Sequence, residues 1–325
     1  MCTAVSYQPK DHYFGRNLDL EYSYNETITI TPRCFPLHFR HANTLEHHLA
    51  MIGMAYVADG YPLYYEATNE AGLSMAGLNF PGNAVYCSNP ESHESVAPFE
   101  LIPWILAQYS NAAEAVEAIK QLSLVHEHFR DDLPVTPLHW LLSDKDASFV
   151  IESMTDGILI LENPVGVLTN NPPFEYHMLR LNDFLNVTNR PPENRFADEI
   201  TLVPYSLGMG SIGLPGDMSS SSRFVRAAFV KANSIPSDDD AENLSQFFHI
   251  LDAVFQPKGC TMLQSGLYEY TLYSSCCNTT RGVYYYKTYE NNQISGVNMH
   301  AENLDASSLI IYPMLSAQQI HMQNQ

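Results

Sequence analysis

Met1-Cys2-Thr3-Ala4-Val5 opens the chain, and Phe14-Gly15-Arg16-Asn17-Leu18-Asp19 follows it closely. If Met1 is removed, Cys2 carries both a thiol and a free α-amine. A free α-amine has a pKa of about 7.7–8.0, which suits a general base near neutral pH. Cys2 is therefore a candidate nucleophile that supplies its own base.

Arg16 and Asp19 are candidates for the two partners that such a centre needs. Cysteine attacks as the thiolate, which a fixed cation stabilises, and a carboxylate can orient the ammonium group. The alternative is an ordinary cysteine that happens to come second. The chain has six cysteines in 325 residues, so the position of Cys2 alone does not distinguish the two interpretations.

The same segment predicts a β-hairpin. Its pattern favours a strand over Cys2–Tyr7, a turn over residues 8–11 and a returning strand over residues 12–20. Such a turn brings Cys2 opposite residue 16 or 17. Arg16 and Asp19 would point to opposite faces of a regular strand, so we expect a bulge near Gly15, or the strand's end, to bring them together.

Composition indicates a sheet-rich globular enzyme, which we take as one domain over residues 1–325. Apolar residues make up 45% of the chain, and Tyr and Phe number 20 and 15. The formal net charge of -20 argues against binding to nucleic acid or to an anionic membrane surface. We find no charged-then-apolar leader and no apolar run near the ~18 residues that span a bilayer, so we expect a cytoplasmic protein.

The remaining cysteines show no C-x-x-C spacing, so we expect neither a zinc site nor a disulfide framework. We interpret them as buried or inert thiols. They are Cys34, Cys87, Cys260, Cys276 and Cys277.

Strand and helix signals alternate in blocks along the chain. The order predicts stacked antiparallel sheets covered by helices, rather than alternating β-α units. The predicted strands are residues 27–31, 49–57, 61–68, 73–80, several between 138 and 170, 268–275, 283–290 and 293–299. The predicted helices are residues 99–109, 112–122, 174–185, 223–235 and 243–255.

Three motifs and one arginine suggest functional sites that their local sequence does not support. Residues 208–213 fit G-x-G-x-x-G, but Pro215-Gly216 follows where a helix would be needed, so we predict a loop and no dinucleotide cofactor. His47-His48 and His126-Glu127-His128 lack zinc-site spacing, which favours loop histidines. Arg223 lies near the predicted start of a helix, where most arginines are solvated or pair with a nearby residue.

Asn79 and Asn170 each end an apolar segment close to a proline. A buried asparagine amide can donate hydrogen bonds to a developing oxyanion. The alternative is an asparagine that only shapes a turn. Local sequence leaves both interpretations open for each residue.

Taken together, these motifs resemble the choloylglycine hydrolase family of N-terminal-nucleophile amidases, and most closely its bile salt hydrolases. The resemblance covers nearly the whole chain. It rests on Met-Cys-Thr at the start, residues 14–19, Asn69-Glu70-Ala71-Gly72-Leu73, Ala76-Gly77-Leu78-Asn79-Phe80-Pro81, Leu138-His139-Trp140, Gly166-Val167-Leu168-Thr169-Asn170, Gly213-Leu214-Pro215-Gly216-Asp217 and Tyr284-Tyr285-Tyr286.

The resemblance implies an α+β fold, an αββα four-layer sandwich of two antiparallel sheets between helix layers, and a homotetramer. It implies hydrolysis of glycine- or taurine-conjugated bile salts without a metal or cofactor, and does not choose between the two conjugates. The site residues it implies are Cys2 as nucleophile, Arg16 and Asp19 holding the thiolate and amine, Asn79 and Asn170 building the oxyanion site, and Arg223 supporting it electrostatically.

The substrate pocket is where this chain departs from the family. Residues 125–134 are unusually polar, which leaves Phe129 and Leu133, with Leu18, to form the apolar wall beside Asn79. The related penicillin V acylases are the enzymatic alternative, and many of them carry Tyr where this chain has Asn79. A bile-acid-binding protein on the same fold is the non-enzymatic alternative, and it would need no free amine at Cys2.

Overall fold

We describe the protein from a computed structural model, over residues 1–88 and 94–324. Strands occur in three blocks separated by helices. The strands are β1 (Cys2–Tyr7), β2 (Tyr13–Leu20), β3 (Thr27–Thr31), β4 (Met51–Ala58), β5 (Tyr61–Asn69), β6 (Ser74–Asn79), β7 (Glu94–Val96), β8 (Leu122–Leu124), β9 (Leu138–Ser143), β10 (Ser148–Met154), β11 (Gly157–Glu162), β12 (Val167–Leu168), β13 (Thr261–Met262), β14 (Tyr268–Asn278), β15 (Val283–Thr288), β16 (Ser295–Asn298) and β17 (Ile310–Pro313). The helices are α1 (Leu101–Gln108), α2 (Ala112–Ile119), α3 (Phe174–Arg180), α4 (Ser220–Ala232) and α5 (Asp240–Asp252), with short 3-10 turns at Pro98–Glu100, Leu181–Phe184, Met209–Ser211 and Met299–Ala301.

Two antiparallel sheets contain most of these strands. The first sheet has the order β12-β1-β2-β14-β15-β16, with β13 also paired to β14. The second sheet has the order β11-β10-β9-β6-β5-β4-β3-β17. Only the small pair β7-β8 is parallel within the described ranges. The nucleophile candidate on β1 therefore lies next to β2 in the interior of the first sheet.

Alternating side chains of the second sheet divide the core into two. Ile52 and Met54 of β4 pack between the sheets, in the same cluster as β1, β2, α4 and α5. Met51 and Ala55 of the same strand pack on the other face, against α1 and α2. This alternation gives the layer order helices, first sheet, second sheet, helices. The predicted αββα sandwich is confirmed.

The hairpin of β1 and β2 is confirmed, but its register differs from the prediction. Cys2 pairs with Leu18, and Ala4 pairs with Arg16. The prediction that Cys2 lies opposite residue 16 or 17 is wrong because the turn occupies residues 8–12, one residue longer than expected. Each added turn residue moves the opposing position along the returning strand.

Arg16 and Asp19 do point to opposite faces of β2. Arg16 donates to backbone carbonyls of the second sheet, whereas the Asp19 carboxylate accepts hydrogen bonds from Thr271 and from Gln256, just beyond α5. Pairing of β2 with β1 is regular throughout, so the predicted bulge near Gly15 is wrong. The irregularity lies on the other neighbour, β14, between Thr271 and Tyr273.

Gly15 has a different reason to be glycine. A Cβ atom built at this position would lie 2.0 Å from the carbonyl oxygen of Ser275 on β14. Real Cβ atoms do not approach an oxygen so closely, so any side chain would push the two central strands apart.

The five predicted helices are present with different bounds. α1, α2 and α3 are shorter than predicted, and β8 begins at Leu122, the last residue of the second predicted helix. α4 and α5 have the predicted length but begin three residues earlier. Asn111 caps α2 by accepting from the Glu114 N–H, and Asp239 caps α5 by accepting from the Glu242 N–H. Residues 208–213 lie outside any strand-turn-helix unit, as predicted.

None of the six cysteines, all of which lie within the described ranges, forms a disulfide. The prediction that the five beyond Cys2 are buried or inert holds for Cys276 and Cys277, whose pKa values are raised by burial. Cys260 is exposed and Cys34 and Cys87 are half-buried, so burial does not extend to these three. In the described ranges, every helix falls short of the length and apolar character that crossing a membrane requires.

Candidate active site

Cys2 lies in the wall of a cavity of about 350 Å³ that opens between the two sheets. The residue is 3% exposed. Arg16, Leu18 and Asn79 line the same cavity. A larger cavity of about 570 Å³, near Val165 and Phe229, contains none of the predicted site residues. The fold therefore gathers the predicted nucleophile and its predicted cation around one cavity.

Arg16 is buried beside Cys2. One guanidinium nitrogen, Nη1, donates to the carbonyl oxygens of Gly77 at 2.6 Å and Tyr65 at 3.1 Å. Burial alone lowers the pKa of Arg16, but Cys2, Tyr273 and Glu66 outweigh burial and raise the pKa overall. The guanidinium is therefore a permanent cation, held in place by the second sheet.

The α-amine in this structure belongs to Met1. It donates to the carbonyl oxygen of Asp19 at 2.9 Å and contacts the carboxylate of Glu269. Burial lowers the pKa of this amine, while Cys2 and Asp19 act in the opposite direction. An amine in this environment is biased toward the neutral, proton-accepting form.

The Asp19 carboxylate lies on the helix-facing side of β2 and is fully buried. Its Oδ1 accepts from the Thr271 hydroxyl at 2.6 Å, and its Oδ2 accepts from Gln256 Nε2 at 3.2 Å. These two donors fix the carboxylate close to the start of the chain. Asp19 therefore faces the amine side of the site, and Arg16 faces the thiol side.

Asn170 joins the parts of the site through its side chain. Its Oδ1 accepts from the backbone N–H of Cys2 at 2.7 Å and from Arg223 Nη2 at 2.9 Å. Its Nδ2 donates to the carbonyl oxygen of Asn79 at 2.8 Å. The two asparagines that sequence analysis singled out are thus adjacent.

The backbone of Asn170 is held by two residues that sequence analysis missed. Its N–H donates to Ser220 Oγ at 2.8 Å, and its carbonyl oxygen accepts from His177 Nε2 at 2.9 Å. Burial lowers the pKa of His177 to about 4, so the ring is neutral and its proton is on Nε2. Neither residue has a local sequence signal, because both approach Asn170 only through the packing of α3 and α4.

Arg223 is fully buried at the start of α4, so its interpretation as a solvated arginine is wrong. Its Nη1 donates to the Cys2 carbonyl oxygen at 2.5 Å and to Thr3 Oγ1 at 2.7 Å. Burial lowers its pKa, while the charges of Asp19 and Cys2 raise it. Its position behind Cys2 places positive charge close to the reacting end of the chain.

The predicted pocket residues Phe129 and Leu133 line the same cavity as Cys2. Phe129 packs against Tyr61 and edge-on against Phe99, with centroid distances of 5.9 and 5.4 Å. Much of the lining was not predicted, because it comes from aromatic and aliphatic residues scattered over several strands. These residues are Leu20, Tyr24, Tyr56, Leu63, Tyr64, Tyr65, Phe99, Pro134, Val135 and Leu138.

The charged side chains of the polar loop 125–134 pair with one another or with neighbouring segments. Arg130 pairs with Asp59 and Asp132, and Glu127 contacts His41. Glu127 also belongs to the cavity lining, so the wall is mixed rather than purely apolar. In residues 1–88 and 94–324 no group of three His, Cys, Asp or Glu side chains is arranged to hold a metal ion.

Comparison with known proteins identifies the family. The model of linear amide C-N hydrolases, choloylglycine hydrolase family, matches residues 2–312. A bile salt hydrolase/transferase of Lactiplantibacillus plantarum is 51% identical over 324 residues, 100% of both chains. A crystal structure of a conjugated bile acid hydrolase variant from Clostridium perfringens superposes with a TM-score of 0.92 at 35% identity, over 99% of this chain and 100% of the other.

A penicillin V acylase from Agrobacterium tumefaciens shares the fold, with a TM-score of 0.76 at 18% identity, over 95% of this chain and 90% of the other. At 18% identity, this similarity shows that the two proteins share a fold and says nothing about a shared activity. The family match and the full-length relative agree with each other. The chain belongs to the choloylglycine hydrolase family of linear amide C-N hydrolases.

Proposed function

We propose that this protein hydrolyses the amide bond of glycine- or taurine-conjugated bile salts, with Cys2 as the nucleophile. The observation that carries the proposal is the position of Cys2 and Arg16 together in the wall of a largely apolar cavity. A conjugated bile salt has an apolar steroid body and a scissile amide at the end of a short side chain. The steroid would lie against Phe129, Leu133 and Leu18, and the amide would reach Cys2.

The proposed reaction begins once Met1 has been removed and Cys2 has a free amine. The amine of Cys2 takes the proton of its own thiol and becomes an ammonium group, and the thiolate, stabilised by Arg16, attacks the amide carbon to form a tetrahedral intermediate. The C–N bond then breaks, and the α-ammonium group gives its proton to the departing glycine or taurine nitrogen. The neutral amine takes a proton from water, which attacks the thioester and releases the bile acid and the thiol.

Asn79, Asn170 and Arg223 would stabilise the negative oxygen of the intermediate. Asn170 lies between the other two, bonded to the carbonyl of Asn79 and to the guanidinium of Arg223. Donors that are fixed before reaction contribute most when charge develops in a site that excludes water. Asp19 would hold the ammonium group of Cys2 in the orientation that proton transfer needs.

Removal of Met1 is part of the proposal, because the mechanism needs the α-amine of Cys2. Intact mass spectrometry of purified, active protein measures it directly. We expect a mass that lacks one methionine. Full activity in protein that retains Met1 would reject the role assigned to the amine.

Substrate choice is tested by kcat/KM for glycocholate, taurocholate and penicillin V, on one Met1-free preparation at matched pH. We expect at least one bile salt to exceed penicillin V. Cross-activity is expected, because an apolar pocket discriminates between acyl groups by only about 1–3 kcal/mol. A higher value for penicillin V than for both bile salts would assign the chain to the acylase class.

We also propose one domain over residues 1–325, a cytoplasmic location and a homotetramer. The apolar cluster between the sheets contains residues of both, which supports a single domain. Several large apolar side chains between residues 179 and 212 are exposed, which supports assembly through that segment. They are Leu179, Leu185, Phe196, Ile200, Leu202, Val203, Tyr205, Leu207 and Ile212.

A further inference from the structure

Glu66 is a buried carboxylate between the two sheets that the mechanism above does not use. It lies on β5 and is 1% exposed. Its Oε1 accepts from the hydroxyls of Ser275 at 2.9 Å and Tyr284 at 2.5 Å, and its Oε2 accepts from the Tyr273 hydroxyl at 2.9 Å. Three donors from β14 and β15 thus converge on one carboxylate of the opposite sheet.

The cation that faces Glu66 is Arg16. Its Nε lies 3.8 Å from Glu66 Oε2, and this nitrogen has no hydrogen-bond acceptor among the described residues. The guanidinium of Arg16 therefore interacts with two groups, the Glu66 carboxylate and the Cys2 sulfur.

The surroundings leave few other charges near this pair. Tyr65, Tyr273, Tyr284 and Cys277 are the other titratable groups that interact with Glu66. The pKa values of all four are raised, first by burial, so they remain neutral near pH 7. Burial also raises the pKa of Glu66, while Arg16 and the three hydroxyls oppose that rise.

We propose that Glu66 is a positioning residue that acts on Cys2 through Arg16. It fixes the orientation of the guanidinium and limits how strongly that cation stabilises the thiolate. The kinetic part of this inference rests on the proposed function. A thiolate that is stabilised too strongly forms readily, but it attacks more slowly, because nucleophilicity falls with basicity.

Glu66→Gln tests the inference, because it removes the charge and keeps the shape. Arg16 stays bonded to the Tyr65 and Gly77 carbonyls, so its full charge becomes available to Cys2. The rate of Cys2 alkylation by iodoacetamide is followed against pH by mass spectrometry of the N-terminal peptide. We expect its midpoint to move about one pH unit lower. We also expect kcat for the better bile salt to fall about threefold, with little change in KM.

Glu70→Gln is the matched control. Glu70 follows β5 directly and pairs with Arg33 at 2.5 Å, away from Cys2. It loses an Arg–Glu pair by the same substitution, so it measures the general cost of such a loss. We expect the wild-type alkylation midpoint and the wild-type kcat for Glu70→Gln.

A folded Glu66→Gln protein with the wild-type midpoint and kcat would overturn the inference. If that variant does not fold, Tyr273→Phe and Tyr284→Phe each remove one donor and keep the charge. The carboxylate then becomes easier to protonate, so we expect a smaller shift of the midpoint in the same direction, and no shift in either variant would also overturn it. Alkylation needs no substrate, so a wild-type protein inactive on bile salts would reject the proposed function and leave this test in force.

Discussion

Cys2 differs from the other thiols of the chain in its surroundings. It lies beside Arg16 in a cavity wall, whereas Cys260 is exposed and does not line that cavity. We expect Cys2→Ser to lower kcat/KM by about 10³-fold or more, because a hydroxyl cannot replace the thiolate here. Cys260→Ser serves as the control and should keep wild-type kinetics. Similar losses in both variants would contradict the role of Cys2.

Asp19 can be changed with little effect on packing. In Asp19→Asn, the amide nitrogen can donate to the Thr271 hydroxyl oxygen, and the amide oxygen can still accept from Gln256. Both contacts can therefore persist. We expect the free energy of unfolding to fall by no more than about 1–2 kcal/mol. We expect kcat to fall about 10²-fold, since the charge that orients the ammonium group is lost. Kinetics and urea unfolding are measured together, and a stability loss large enough to explain the activity loss would make Asp19 structural.

A site residue can be predicted from sequence when its partners lie close to it along the chain. Cys2, Arg16 and Asp19 lie within one hairpin, so local pattern and simple chemistry were enough to nominate them. Arg223 could not be found in this way, because a helix-start arginine is usually solvated and only the resemblance argued otherwise. His177, Ser220 and Glu66 have no local signal, because their partners lie on other elements.

The central strands β2 and β14 approach so closely that Gly15 has no room for a side chain. We expect Gly15→Ala to lower the free energy of unfolding by about 3 kcal/mol, because the new methyl group overlaps the Ser275 carbonyl. Gly216→Ala is the control, since nothing lies within 4 Å of a Cβ built there. Chemical denaturation compares the two. Equal stabilities would show that the strands can separate at no cost.

The turn between β1 and β2 is held by His12, which is buried and bonded to Ser6 and Thr279. Burial lowers its pKa from 6.5 to about 4. Between these values the unfolded chain binds a proton that the folded chain does not, so stability is full above pH 6.5 and falls as the pH drops toward 4. At pH 5 the loss from this residue is about 2 kcal/mol.

Denaturation at pH 7.5 and pH 5 measures this linkage. We expect His12→Gln to be less stable at both pH values, because it loses hydrogen bonds, but to lose less stability than the wild type between them. His321→Gln, at an exposed position, should match the wild-type difference. If His12→Gln loses as much stability between pH 7.5 and pH 5 as the wild type does, other groups account for the pH dependence.

Element types were predictable where the pattern was long, as in the hairpin, the meander at 138–170 and the helix caps. Register was not, because one extra turn residue at position 12 moved the partner of Cys2 to Leu18. The short strands β7, β8, β13 and β17 were also missed. Strands of two to four residues are defined by a neighbour that lies far away in sequence, and they have too few residues to show a period.

At the scale of the whole molecule, the exposed apolar residues between 179 and 212 predict the assembly. Leu207 is 97% exposed, which is unfavourable for a large aliphatic side chain in an isolated chain. We expect light scattering to give a tetramer and Leu207→Asp to dissociate it, because burying the new charge would be costly. Ile235→Asp, at 84% exposure outside this segment, should leave the tetramer intact. A monomeric wild type at micromolar concentration would reject the assembly.

The buried amine of Met1 has a practical consequence for handling the protein. An affinity tag fused ahead of Met1 would have to pass through the space where that amine contacts Glu269 and Asp19. It would also prevent the proposed removal of Met1, which would expose the nitrogen of Cys2. Residues 315–324 are exposed, so a tag after them meets no such obstacle. Purification through the carboxyl end should therefore yield enzyme, whereas an uncleaved tag at the amino end should yield an inert protein.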